Sequence, residues 1–287
     1  MRLIAIDLDG TLLNSRGEVS PQNRQAINHA QKAGIEIAIA TGRSYREASE
    51  FCRQTGLNAH IITSNGASVH SRQGILLAAV TLARQDVKEI LAWLEEHHYY
   101  FEVTSENGLY TVQKGITWLD EEISRLAATN PVLYAEDYKG GLKSPDRPLI
   151  PVASAALIWE QEMDYYKVFA FTTDAEKLRA GSERFKNQTR LTVVSSLDHN
   201  FEIIHRNASK GYGVKVLADS LQISLSEVVA IGDNENDLSM LAAAGYSVAM
   251  GNAKDPIKAS CSFITRTNDE HGVAHAIYHI LGKKIPA

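Results

Sequence analysis

Residues 4–13 read IAIDLDGTLL, an apolar run that ends in two aspartates with one residue between them. The continuous apolar character of 2–6 predicts a short buried strand. Asp7 and Asp9 at its end repel each other, and a chain reversal does not need both. Asp9-Gly10 on its own would be an ordinary turn signal. Beside Asp7 and Thr11 it points instead to a cation held between carboxylates, or to a carboxylate that does chemistry.

The strand has company on both sides of a long interruption. In 20-SPQNRQAINHAQKAG-34, Ser20 is placed as a helix N-cap, Pro21 as the first helical residue and Gly34 just past the end. IEIAIA (35–40) predicts a second strand that stops at Thr41-Gly42-Arg43. A helix over 44–54 and a third strand, AHIIT (59–63), follow, and the strand ends in Ser64-Asn65-Gly66. Strand–helix alternation of this kind predicts a parallel sheet with crossover helices. The rhythm returns near the C-terminus. Ser209 caps a helix through 220, EVVAIGD (227–233) is a strand, NENDLSMLAAAG a helix, YSVAM (246–250) a strand, and 270–281 a helix.

The middle of the chain differs. It predicts helices over 84–97, 117–127 and 174–187, and strands over 99–104, 109–113, 166–172 and 190–195. Asn107-Gly108 marks a hairpin, and hence an antiparallel sheet. Pro131, Pro145, Pro148 and Pro151 predict an irregular surface loop around 135–155. The expected organisation is a core segment at 1–82, an inserted α+β domain at 83–195 and a second core segment at 196–287. The fold class is α/β, a doubly wound parallel-sheet, Rossmann-like core with an α+β insertion.

Composition limits the function classes. The chain has 287 residues, 44% hydrophobic and 22% charged, which suits one large or two modest globular domains. A net charge of −5 with no basic stripe argues against nucleic-acid binding. Asp120-Glu121-Glu122 is expected to be a solvated helix face. Cys52 and Cys261 form neither a disulfide framework nor a thiolate metal site. No apolar run reaches membrane-spanning length, and the N-terminus has no signal-peptide pattern. The expectation is a cytoplasmic enzyme or small-ligand binder, monomeric or homodimeric.

In an open parallel sheet, ligands bind beyond the carboxyl ends of the strands. Four strand ends carry polar groups there: Asp7 with Asp9, Thr41 with Gly42, Ser64 with Asn65, and Asp233 through Asp237. Lys210, at the start of a helix, is the cation nearest to hand. Taken singly each has a bland reading: Thr41-Gly42 a loop, Lys210 a solvated lysine, GDNEND a helix cap. Asn65 either lines the site or only shapes a Ser-Asn-Gly turn. His271, His275 and His279 recur every four residues, but no carboxylate motif joins them and they are expected to form a solvated stripe.

Taken together, IAIDLDGTLL (4–13), IAIATGR (37–43), Lys210 in NASKGYGV (207–214) and IGDNENDLSM (231–240) resemble the motifs of haloacid dehalogenase-like phosphohydrolases, in that family's order. SNGA (64–67) and the long insertion resemble its Cof-type branch, whose α/β cap is of type IIB. The resemblance implies a Mg2+-dependent phosphatase of small phosphate monoesters such as sugar phosphates, flavin-precursor or nucleotide-like phosphates, or pyridoxal phosphate. It implies Asp7 as nucleophile, forming an aspartyl-phosphate, and Asp9 as general acid and base. Asp7, the Asp9 carbonyl and Asp233 would hold the metal, with Asp237 behind them. The Leu8 and Gly42 backbone N–H groups, the Thr41 hydroxyl, Lys210 and Asn236 would surround the phosphoryl oxygens, and Thr11 would brace the loop. The cap would close over the crevice and read the leaving group. The same resemblance leaves room for a hexose phosphomutase using the same intermediate, or a non-catalytic sensor of phosphorylated metabolites.

Overall fold

The N-terminal apolar run forms strand β1 (Leu3–Asp7), with all five residues buried. Its side chains alternate between two layers, as a strand's must. Ile4 and Ile6 enter one hydrophobic cluster, and Leu3 and Ala5 enter another on the opposite face. A central strand buried on both faces is the mark of a doubly wound sheet. The computed structural model describes residues 1–129, 149–195 and 199–282. The chain divides into two compact units, Met1–Val80 with Asn207–Ala287, and Thr81–Arg206.

In the first unit β1 is joined by β2 (Glu36–Ala40), β3 (His60–Thr63), β4 (Ser68–His70) and β5 (Leu76–Ala79), and after the insertion by β12 (Val228–Gly232), β13 (Tyr246–Ala249) and β14 (Phe263–Ile264). The strand order is β14-β13-β12-β1-β2-β3-β4-β5. The strands from β14 to β3 run parallel, and β4 and β5 extend the sheet antiparallel. Sequence reading found neither β4, β5 nor β14; β4 and β14 are short, and β5 was missed although it lies in the apolar run 75–80. Successive strands run outward from β1 through β2 and β3, then outward from β12 on its other side. The direction of winding therefore reverses between β1 and β12, where ligands bind in such sheets.

Local signals set the flanking helices. Helix Pro21–Lys32 starts where the Asn23 N–H donates to the Ser20 hydroxyl at 3.2 Å, with Pro21 at its first position. Helix Tyr45–Thr55 begins with a reciprocal capping box between Ser44 and Glu47. Helix Gly272–Ile280 buries Val273, Ala274, Ala276 and Ile277 in the same layer as Ile27 and Ala30. The expected solvated histidine stripe holds in part: His279 is exposed, and His271 and His275 are half-buried. His279 stacks on Phe263 at 4.2 Å between ring centroids, and the His275 Nδ1 lies 2.9 Å from the Thr265 hydroxyl. His271 sits before the helix in a left-handed conformation.

The second unit has a sheet of its own: β6 (Tyr100–Ser105), β7 (Gly108–Val112), β8 (Leu149–Val152), β9 (Tyr165–Phe171), β10 (Leu191–Val194) and β11 (Asn200–His205), in the order β10-β11-β9-β6-β7-β8. All pairs are antiparallel except β7 with β8. The hairpin at Glu106-Asn107 is where its Asn-Gly signal puts it. Helix Arg84–Glu96 packs on one face of the sheet, and Leu119, Ile123 and Leu126 of helix Gln113–Thr129 meet Tyr100, Phe169 and Phe171 on the other. Three expectations change. The insertion runs to Arg206 rather than 195, because β11 pairs with β9 and β10 in this sheet. Of the expected irregular loop, residues 135–148 lie outside the described residues, and 149–152 form β8. Glu122 is buried, not solvated. It accepts from the Thr172 hydroxyl at 3.0 Å and from Lys177 Nζ at 3.1 Å, while Asp120 and Glu121 are exposed.

Candidate active site

Strand register brings the motifs to one edge of the first unit's sheet. Asp7 is level with Ala40 of β2, so Thr41 is the next residue beyond that strand. Ile6 is level with Ile231 of β12, which places Asp233 just past the same edge. Beyond Asp7 the chain turns through Leu8–Leu12, with Asp9 still extended (φ −83°, ψ 119°) and Gly10 at φ 81°. Gly10 is required on two counts. Its backbone is left-handed, and a Cβ there would lie 2.5 Å from an Asp233 carboxylate oxygen. This turn separates the two aspartates. Asp7 is 5% exposed, whereas the Asp9 side chain is 58% exposed.

Lys210 is the first residue of helix Lys210–Ser220, whose start is capped by Ser209 accepting from the Tyr212 N–H at 3.0 Å. Its ammonium is buried and donates to Asp7 Oδ1 and to Asp237 Oδ1, each at 2.5 Å. Asp237 Oδ2 accepts from the backbone N–H groups of Asp233 and Asn234, at 2.9 and 3.0 Å. Both Asp237 oxygens are therefore occupied, which makes it a brace that fixes Lys210 and the turn after β12. The Thr11 hydroxyl donates to Asp233 Oδ1 at 2.7 Å, so Thr11 orients a carboxylate as well as the loop.

One carboxylate oxygen each from Asp7, Asp233 and Asp237 lies within 4.8 Å of the others. Three carboxylates, when all are ionised, exceed the one Lys210 ammonium by two charges. Burial, with the charges of Asp237 and Asp233, pushes Asp7 well above the usual carboxylate range despite Lys210. Burial raises Asp233 to about 6, against the lowering effect of the Thr11 hydrogen bond. Burial alone would lower Lys210, but Asp237 and Asp7 raise it above its ordinary value. Crowded hard oxygen donors with an uncompensated charge of two suit a divalent cation of the magnesium or calcium kind.

The remaining expected residues fall close by. Thr41 is fully buried, and its hydroxyl oxygen accepts from the Arg43 N–H at 3.1 Å. Gly42 lies between them, and Leu8 directly follows Asp7. The Asn236 side-chain amide donates to Asn65 Oδ1 at 3.1 Å, which brings Asn65 to the site. The Asp9 carboxylate is not among the clustered oxygens. It is held by Arg43, through Nη2 to Oδ1 at 2.5 Å and Nε to Oδ2 at 3.0 Å. Sequence reading gave Arg43 no role. Its signal was available, since a cation two residues beyond Thr41 sits at the strand end that faces the aspartates.

Comparison with known proteins identifies the family. The family model for haloacid dehalogenase-like hydrolases matches residues 4–277. Phosphatase YwpJ of Bacillus subtilis is 41% identical over 285 residues, covering 98% of this chain and all of that protein. The 5-amino-6-(5-phospho-D-ribitylamino)uracil phosphatase YwtE of the same organism is 34% identical, over 98% of each chain. A solved structure of a haloacid dehalogenase-like hydrolase from B. subtilis superimposes with a TM-score of 0.84 at 40% identity, over 98% of this chain and 100% of that one. With motifs, sheet order and full-length similarity in accord, the chain belongs to the haloacid dehalogenase-like hydrolases, in the Cof-type phosphatase branch of that family.

Proposed function

We propose that this protein is a Mg2+-dependent phosphatase of small phosphate monoesters, working through an aspartyl-phosphate at Asp7. The observation that carries the reading is the buried Lys210 ammonium shared by Asp7 and Asp237, with Asp233 alongside and two negative charges unbalanced. Asp7, Asp233 and the carbonyl of Asp9 would hold the metal, with Asp237 fixing the turn behind them. When bound, Mg2+ would offset the repulsion between a carboxylate nucleophile and a phosphate dianion.

Asp7 attacks phosphorus, and the bond to the leaving oxygen breaks. Asp9 supplies that oxygen with a proton from one carboxyl oxygen turned to the substrate, while Arg43 keeps hold of the other. A water then attacks the phosphorus of the aspartyl-phosphate and gives its proton to Asp9. The Asp7–phosphorus bond breaks, and inorganic phosphate leaves with both aspartates restored. The Thr41 hydroxyl, which already accepts from Arg43, has its own hydrogen to donate to the phosphoryl group. Lys210, Asn236 and the backbone N–H groups of Leu8 and Gly42 complete the donors.

The substrate class rests on similarity. The relative YwtE is named for a phosphate ester of a ribityl-bearing uracil, a small metabolite. No helix among the described residues is long and apolar enough to cross a membrane. Cys52 and Cys261 are both free thiols, which supports a cytoplasmic setting. The test is a panel of phosphate monoesters with inorganic phosphate as readout, with Mg2+ and with a chelator. Steady release that needs Mg2+ and disappears with Asp7→Asn is expected. Turnover that continues in that variant would falsify the assignment.

A further inference from the structure

Three parts of the site meet at the turn after β3. Ser64, Asn65 and Gly66 all have left-handed backbones, at φ 49°, 56° and 91°, and all three are buried. Two non-glycine residues held there in succession are strained, and they persist only where their surroundings impose it. The surroundings here are the catalytic motifs. The Ser64 N–H donates to the Arg43 carbonyl at 2.9 Å, and the Asn65 N–H to the Thr41 carbonyl at 3.1 Å, so the turn grips the Thr41–Arg43 segment by its backbone. The Asn65 side-chain oxygen accepts from the Asn236 amide at 3.1 Å. Gly66 lies against the start of the helix that carries Lys210, where a Cβ would come within 1.9 Å of the Ser209 carbonyl oxygen.

We propose that Asn65 is a positioning residue: its left-handed backbone anchors the Thr41 loop while its side-chain oxygen aims the Asn236 amide, so that both serve one phosphoryl group. The proposal rests on the phosphatase reading above. Asparagine suits both tasks. It enters the left-handed region more readily than other side chains, and it carries an acceptor of the right reach. An Asn236 amide tied at its nitrogen to Asn65 has one rotamer fixed, and fixed donors stabilise a developing charge better than mobile ones.

Asn65→Gly keeps the backbone conformation and deletes the oxygen, Asn236→Ala deletes the donor, and the double variant combines them. Each is assayed with Mg2+ for phosphate release and for competitive inhibition by inorganic phosphate, beside a thermal melt. Asn65→Gly should lose about ten- to a hundred-fold in turnover, with a smaller change in KM, because misaimed groups cost most in the transition state. The double variant should be no worse than Asn236→Ala alone, since the two act through one contact. Should the glycine variant melt early, Asn65→Ser serves, as Ser64 already occupies the same backbone region and a serine is too short to reach Asn236. Activity of Asn65→Gly within about two-fold of wild type, or losses that multiply in the double variant, would overturn the positioning role. Absence of phosphate release by the wild type would instead overturn the phosphatase reading, and this inference with it.

Discussion

Arg43 and Asp9 form a forked pair, two parallel hydrogen bonds from guanidinium to carboxylate, at the end of β2 and just past the end of β1. Exposed pairs contribute little to stability, typically about 0–1 kcal/mol. At 34% and 58% side-chain exposure this one falls in that class. Its value lies in aim, since it sets where the Asp9 carboxylate waits.

Arg43→Ala should therefore leave the melting temperature within about 3 °C of wild type while lowering kcat by roughly ten-fold or more. Arg43→Lys, which cannot form the fork, should fall between. Steady-state phosphate release beside a thermal melt separates the two effects, and an unchanged kcat in Arg43→Ala would remove Asp9 positioning from the account.

Asp7→Asn should abolish turnover without unfolding the chain. It removes one charge from an acidic cluster whose protonation is already favoured by burial. Loss of a nucleophile costs several orders of magnitude, so a residual rate above about 1% of wild type would contradict the assignment. Circular dichroism would confirm that the fold is intact.

Lys210→Ala should damage both stability and chemistry. It strips the buried carboxylates Asp7 and Asp237 of their shared cation. Breaking a buried pair from one side costs about 3–5 kcal/mol. Denaturant unfolding should show a loss of this size without metal, and a smaller one with Mg2+ present, because the ion replaces part of the missing charge.

Metal binding should depend on pH through Asp233, which burial raises to about 6 in the metal-free chain. An unfolded aspartate titrates near about 3.9. Between those values the folded chain holds a proton that the unfolded chain has lost, so metal-free stability falls as pH rises from about 4 to about 6. A cation takes only the deprotonated form. The Mg2+-induced rise in melting temperature should thus be small near pH 5 and grow toward pH 7, followed by differential scanning fluorimetry. An increment that is flat or shrinks over that range would contradict Asp233 as a ligand.

The site was legible in the sequence where its information is local. Asp7, Thr41, Asp233 and Lys210 each sit at a strand end or helix start that apolar runs and caps mark out, and strand register does the rest. Legibility stopped where meaning depends on a partner distant in sequence. Glu122 reads as one charge in a solvated run until Thr172 and Lys177 arrive beside it from a different segment. Arg43 reads as the end of a loop until the turn at Gly10 brings Asp9 within its reach. Strand β11 was missed because Asn200, Glu202 and His205 break its apolar pattern, although the sheet buries all but the last. For the histidines, periodicity shows that His275 and His279 share a helix face, but not that Phe263 stacks on both.

Strand β1 lies between β2 and β12, its first neighbour some thirty residues away and its second more than two hundred. One flank of Asp7 therefore comes from nearby chain, and the other only from a segment more than two hundred residues downstream. Sheets completed by such distant pairings close slowly. Until that segment docks, Asp7 lacks Asp233 beside it, so the acidic cluster forms only with the completed sheet.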